Sequence, residues 1–362
     1  MSLSIEIKKK LDNFTLDIQL ASNAKKIGIL GASGCGKSMT LKSIAGIVTP
    51  DNGKIQIGEK IFFDSGKKIN VKPQNRNAGY LFQNYALFPN MTVEKNIAAG
   101  LRGKKAEKEK RVREMIEKFR LQGLEKRLPG ELSGGQQQRT ALARIMAYEP
   151  EMILLDEPFS ALDIYLKDNL QREMEMMLED YKGIVILVSH NRDEVYRFCE
   201  ETVILDQGRV IVSDETKRLF QNPRRREAAK LTGCKNFFRA KRLDSHRIEL
   251  PEWGIVLHVQ REIPSACTWV GYRAHNFRPV WGECLENCIP VKVENIAHLP
   301  FEIQYYLSVP GAVGNQKKET IKERKEEAIC WFVQRENMEE IEKNGMPDFL
   351  QLTEEDMMFL EE

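Results

Sequence analysis

The chain is constrained most by Gly31-Ala-Ser-Gly-Cys-Gly-Lys37-Ser38, which follows an apolar run at residues 26–30 and precedes a helix-compatible segment ending at Gly46. Strand, glycine-rich turn and helix in that order make a cradle for phosphate. The glycines let consecutive backbone N–H groups face one concave surface, and a helix starting near Lys37 adds the positive end of its dipole there. Lys37 is long enough to reach terminal phosphates, and the Ser38 hydroxyl is a ligand for Mg²⁺. The alternative is a plain glycine-rich turn, which the strand before it and the helix after it disfavour.

Three further strand ends carry polar side chains suited to the same chemistry. The apolar run at residues 152–155 closes on Asp156 and Glu157, and reads as a central parallel strand buried on both faces. Alternate residues of a strand point opposite ways, so Asp156 is placed to hold the metal while Glu157 is displaced toward the γ-phosphate, where it would orient water. A second all-apolar run, 183–189, ends in His190, which would lie beside the carboxylates if the two strands are neighbours. Residues 77–82 run into Gln83, whose amide oxygen is a candidate ligand for Mg²⁺ or for the attacking water. An aromatic, proline-broken loop follows, and a helix starts at Thr92.

Leu132-Ser133-Gly134-Gly135-Gln136 makes a second anion site. Ser133 and Gln136 form a capping box, and two glycines just inside the cap let a phosphate approach the backbone. Two phosphate-seeking helix starts in one chain imply that one serves its own nucleotide and the other a neighbour's. Residues 4–7, 14–20 and 54–63 alternate as half-buried strands do, and predict an antiparallel β subdomain. Phe14 is placed either to stack on an adenine ring or to fill the core. Residues 104–119 and 165–181 read as amphipathic helices, and 202–212 as a β-hairpin.

The chain's 362 residues predict two domains. A net charge of +2 gives no electrostatic case for nucleic acid or an anionic membrane surface. The seven cysteines are scattered, as in a protein of a reducing, cytoplasmic compartment. Cys284 and Cys288 have the spacing of a metal pair, but no second pair matches them. The N-terminus lacks a signal peptide's apolar core, and no apolar run approaches the roughly 20 residues of a membrane span, so any membrane connection runs through a partner.

As an ordered set, GASGCGKS, Gln83, LSGGQ, ILLDEP, SALD and His190 resemble the ATP-binding subunits of ABC transporters over roughly residues 1–220. The resemblance implies a P-loop α/β domain with a parallel sheet core, an antiparallel β subdomain and a helical subdomain. It implies a Walker A loop holding ATP through Gly31, Ser33, Gly34, Cys35, Gly36, Lys37, Ser38 and Met39. Gln83 becomes the Q-loop, Ser133 to Gln136 the signature, Asp156 and Glu157 Walker B, Asp163 the D-loop and His190 the switch histidine. Members pair head to tail, so a homodimer, or a dimer with a related subunit, is expected. The stretch 84–97 looks like importer ATPases that dock a permease at the cytoplasmic face and serve a substrate-binding protein.

Beyond a charged linker at residues 223–232, residues 233–362 begin with short strands at the spacing of a small β-barrel. The stretches 231–239 and 270–275 resemble the C-terminal regulatory domain of molybdate and tungstate importer ATPases, and less closely that of sulfate importers. That implies an oxyanion cargo, with sugar, polyamine and iron importers as alternatives sharing every ATP motif. A soluble ABC protein acting on ribosomes or DNA is a further alternative; such proteins usually carry two cassettes or a basic insertion. Residues 316–327 read as a solvated helix or loop, and the acidic end, 354–362, has no legible chemistry.

Overall fold

Residues 2–160, 164–283, 286–310 and 328–362 are described by a computed structural model. Asp163, Cys284 and the charged stretch 316–327 lie outside them. The chain divides into two units, Met1–Lys217 and Arg218–Glu362, ahead of the boundary expected after residue 222. Among the described residues no helix is long and apolar enough to cross a membrane.

The first unit is built on β1 (Leu3–Leu11), β2 (Phe14–Ser22), β3 (Lys26–Leu30), α1 (Lys37–Ala45), β4 (Asn52–Ile57), β5 (Lys60–Asp64), β6 (Ile69–Asn70), β7 (Ala78–Leu81), α2 (Val93–Ala98), α3 (Lys105–Lys118), α4 (Gly134–Ala147), β8 (Met152–Asp156), α5 (Ile164–Met177), β9 (Ile184–Ser189), α6 (Arg192–Phe198), β10 (Glu201–Asp206) and β11 (Arg209–Glu215). Its strands run in the order β6-β5-β4-β1-β2-β11-β10-β3-β9-β8-β7. From β10 through β3, β9 and β8 to β7 every neighbour is parallel. Every residue of β8 and β9 is buried, as strands with both faces covered require. At the other end β1, β2, β4, β5 and β6 pair antiparallel, and β1 begins by alternating buried and exposed residues. The expected antiparallel subdomain is present as a continuation of the same sheet.

The helix behind the phosphate loop is anchored by an arginine. Arg76 is fully buried and has no acidic partner among the described residues, and burial pulls its pKa down to about 10. It donates through Nη1 to Ser43 O (2.9 Å) and Ile44 O (2.7 Å), in the last turn of α1, and through Nε to Val71 O (2.8 Å). A cation there answers the negative end of the helix dipole. Arg76→Ala strands these carbonyls and is expected to cost about 3 kcal/mol of stability, measured by urea denaturation.

Among the described residues the second unit holds four three-stranded antiparallel sheets around a core that includes Leu257, Val270, Tyr272, Trp331 and Leu350. Part of the stretch read as a linker is the helix Arg226–Leu231. The first short strands of this unit, Asn236–Arg239 and Lys241–Arg242, belong to different sheets. Within the acidic end, Met358–Leu360 is a buried strand pairing with Trp269–Tyr272. Cys288 is disulfide-bonded, which the expectation of a reducing compartment did not foresee, while Cys35, Cys199, Cys234, Cys267 and Cys330 are free.

Candidate active site

Parallel neighbours share an orientation, so the carboxyl ends of β3, β9, β8 and β7 lie on one edge of the sheet. That is where an open α/β sheet binds ligands. The residues that follow or close those strands are Gly31, His190, Asp156 with Glu157, and Gln83.

Gly36 caps α1 at φ 107°, a left-handed conformation, and a Cβ there would come within 2.7 Å of Leu16 and 3.1 Å of the Phe14 ring. Gly31 passes so close to β10 that a Cβ would lie 2.3 Å from Leu205 O. Ser33 and Gly34 are exposed, and Cys35 is buried, its thiol pKa pushed up mainly by burial. The first helical bond is Thr40 N to Gly36 O, at 2.9 Å. The N–H groups of Lys37, Ser38 and Met39 therefore precede the ladder, as an anion site needs. The Met39 side chain packs on the apolar core, so its backbone alone faces the loop. Phe14 also packs on that core while its ring abuts Gly36.

Lys37 is 5% exposed and donates through Nζ to Gly31 O and Ala32 O, both at 2.8 Å. Ser38 Oγ donates to Asp156 Oδ1 at 2.7 Å, and the phenol of Tyr80 donates to Asp156 Oδ2 at 2.7 Å. Burial first, and the Asp156 carboxylate second, raise the Tyr80 pKa, so the phenol stays a donor. Glu157 has φ 47°, a strained conformation for a non-glycine residue, and its N–H is held by Val188 O at 3.0 Å. Its Oε1 lies 3.2 Å from His190 Nδ1. Gln83 Nε2 donates to Ser160 Oγ (3.1 Å), and Ser160 Oγ donates to Glu157 O (2.9 Å). Lys37, Ser38, Asp156, Glu157, His190 and Gln83 are thus brought together. Tyr80 and Ser160 belong with them and were not singled out in the sequence; the signal for Tyr80 was a phenol in an otherwise apolar strand, which needs a partner when buried.

At the start of α4, Ser133 Oγ accepts from Gln136 N (3.4 Å) and Gln136 Oε1 accepts from Ser133 N (3.0 Å), completing the capping box. Ser133 and Gly134 are exposed. Gly135 is buried, and a Cβ on it would meet the Leu170 side chain of α5 at 3.1 Å, so its small size also serves packing against α5. Among the described residues no hydrogen bond joins residues 133–136 to Lys37, Ser38, Asp156, Glu157 or His190.

A glycine-rich loop opening a helix, with carboxylates closing a nearby parallel strand, defines a P-loop nucleotide-binding protein. The family model described as ABC transporter matches residues 11–160. A ferric-ion import ATP-binding protein of Haemophilus influenzae is 41% identical over 221 residues, 60% of this chain and 62% of that one. A sulfate/thiosulfate import ATP-binding protein of Chromobacterium violaceum is 38% identical over 71% of this chain and 68% of its own length. A molybdate/tungstate import ATP-binding protein of Archaeoglobus fulgidus is 36% identical over 65% of this chain and 96% of its own. The chain belongs to the ABC transporter family. It spans just under two thirds of the length of the ferric-ion relative.

Proposed function

We propose that this chain is the ATP-hydrolysing subunit of an ABC importer, working as a pair of copies, or beside a related subunit, under a membrane permease at the cytoplasmic face. The observation that carries this reading is the gathering of Lys37, Ser38, Asp156, Glu157 and His190 at the carboxyl ends of parallel strands. Ser38 and Asp156 offer hard oxygen donors that meet at 2.7 Å, a donor set that fits Mg²⁺; with Gln83 they would hold it. Bound Mg²⁺ would neutralise charge on the β- and γ-phosphates.

The residues of the chain divide the remaining work. Lys37 and the first N–H groups of α1 bind the phosphates. Glu157 orients a water molecule and accepts its proton as the bond from the γ-phosphorus to ADP breaks, and His190 holds the Glu157 carboxylate while facing the γ-phosphate. The N-terminus of α4 covers the nucleotide seated on the other copy. Arg144 of α4 donates to Tyr85 O (3.1 Å) and Ala86 O (2.8 Å), tying that helix to the loop that exposes Phe88 and Met91, the proposed docking face for a permease helix.

For cargo we propose an inorganic oxyanion, molybdate or tungstate first. The residues around Asn236 and Arg273 and the relatives named for molybdate and tungstate support it. Ferric iron is the second reading, favoured by the 41% identity of the ferric-ion relative. The test is uptake by vesicles carrying the full chain, its permease and its binding protein, with ATP supplied on the side of this chain. Molybdate accumulation is expected. Accumulation of ferric iron alone moves the cargo to the second reading, and no ATP-dependent accumulation of any tested cargo overturns the importer assignment.

A further inference from the structure

We infer that Tyr80 is a positioning residue for the metal-holding carboxylate: its phenol fixes Asp156 Oδ2 so that Oδ1 stays on the Ser38 side. The inference rests on the reading of Asp156 as a ligand of Mg²⁺. In the parallel pair β7–β8, Tyr80 lies opposite Leu154, and Leu154 and Asp156 point to the same face of the sheet. Two residues along a strand is about 6.6 Å, close to the reach of a tyrosine side chain, so a tyrosine at this register can meet the end of β8. The hydroxyl arrives at 2.7 Å, and the ring is held in place by Phe82, with centroids 4.3 Å apart. Tyr80 is 9% and Asp156 7% exposed, so no bulk water replaces the phenol as donor to Oδ2.

The two donors treat the carboxylate differently. Ser38 belongs to the phosphate loop and would share Oδ1 with the metal, whereas Tyr80 belongs to the sheet and takes the oxygen that the metal does not need. A ligand held by such an outer partner keeps its orientation before the metal arrives, and losing the partner typically weakens metal binding about 10- to 100-fold. Tyr80 also stands three positions ahead of Gln83 on the same strand and loop, so the segment that supplies one metal-ligand candidate orients another.

The test uses the full chain and a fluorescent ADP analogue titrated at fixed Mg²⁺ concentrations and in EDTA. Tyr80→Phe keeps the ring and is expected to raise the Mg²⁺ concentration needed for half-maximal enhancement of binding about tenfold or more. Affinity in EDTA is the reference and is expected to match the parent, because Lys37 and the loop N–H groups are untouched. Asp156→Asn in parallel is expected to abolish the Mg²⁺ enhancement. A parental Mg²⁺ midpoint in Tyr80→Phe, with the enhancement lost in Asp156→Asn, overturns the role of Tyr80 alone. An intact enhancement in Asp156→Asn overturns the metal reading beneath it. If Tyr80→Phe folds too poorly to titrate, the double variant with Asp156→Asn removes the stranded charge. Its affinity for the analogue must then equal that of Asp156→Asn at every Mg²⁺ concentration and in EDTA, and a further loss counts against a role exerted through Asp156.

Discussion

Glu157→Gln is expected to lower steady-state ATP turnover about a hundredfold or more while nucleotide binding persists. The substitution changes neither shape nor backbone. Glu157 is held by its N–H on Val188 O and by Ser160 Oγ on its carbonyl, and glutamine inherits both bonds. What goes is the charge that orients water and the oxygen that takes its proton, and with them the negative partner of His190 at 3.2 Å. Binding depends on Lys37 and the start of α1, which the substitution leaves alone. The left-handed backbone at Glu157 fits this division, since strain of about 1–3 kcal/mol persists only where the surroundings impose it. Turnover and equilibrium binding of a fluorescent nucleotide, measured on the same preparation, decide the matter. Parental turnover would remove Glu157 from the chemistry.

The strand ends and the phosphate loop were legible because their signals are local. Gly31 to Ser38 is one stretch, and Asp156, Glu157 and His190 each terminate a run whose burial follows from composition alone. Once the strands are parallel neighbours, their ends must converge. The contacts that lock the site were not legible, because each joins positions far apart in the chain: Tyr80 with Asp156, Arg76 with the carbonyls of Ser43 and Ile44, Gln83 with Ser160. No periodicity encodes such pairs. The second unit repeats the contrast. The spacing of short runs announced strands here, among them those holding Ile248, Leu257 and Val270, but Trp269 pairs with Leu360, across most of the unit, and the acidic residues around Met358 hid a strand. Gly135 shows a second demand on a local signal: its small size also accommodates Leu170 on α5, a neighbour that the Ser133 to Gln136 stretch does not announce.

Gly134 and Gly135 differ in what a substitution would test. A side chain at Gly135 presses on Leu170, at 3.1 Å from its Cβ, and confounds packing with function. Gly134 is exposed at the first position of α4, where an aspartate faces the positive end of the helix dipole and leaves the Ser133–Gln136 capping box intact. Gly134→Asp should therefore fold as the parent does and bind nucleotide at its own phosphate loop with parental affinity. If α4 of one copy covers the triphosphate on the other, the new carboxylate meets phosphate across that junction in a site with little water to screen it. Turnover is then expected to fall about a hundredfold, the scale of losing one preorganised donor to a developing anion. ATP should also no longer double the mass in solution of the Glu157→Gln background, read by light scattering with Mg²⁺ present. Parental turnover together with ATP-driven doubling would mean that α4 never meets the nucleotide of another copy, and each chain would have to complete its pocket alone.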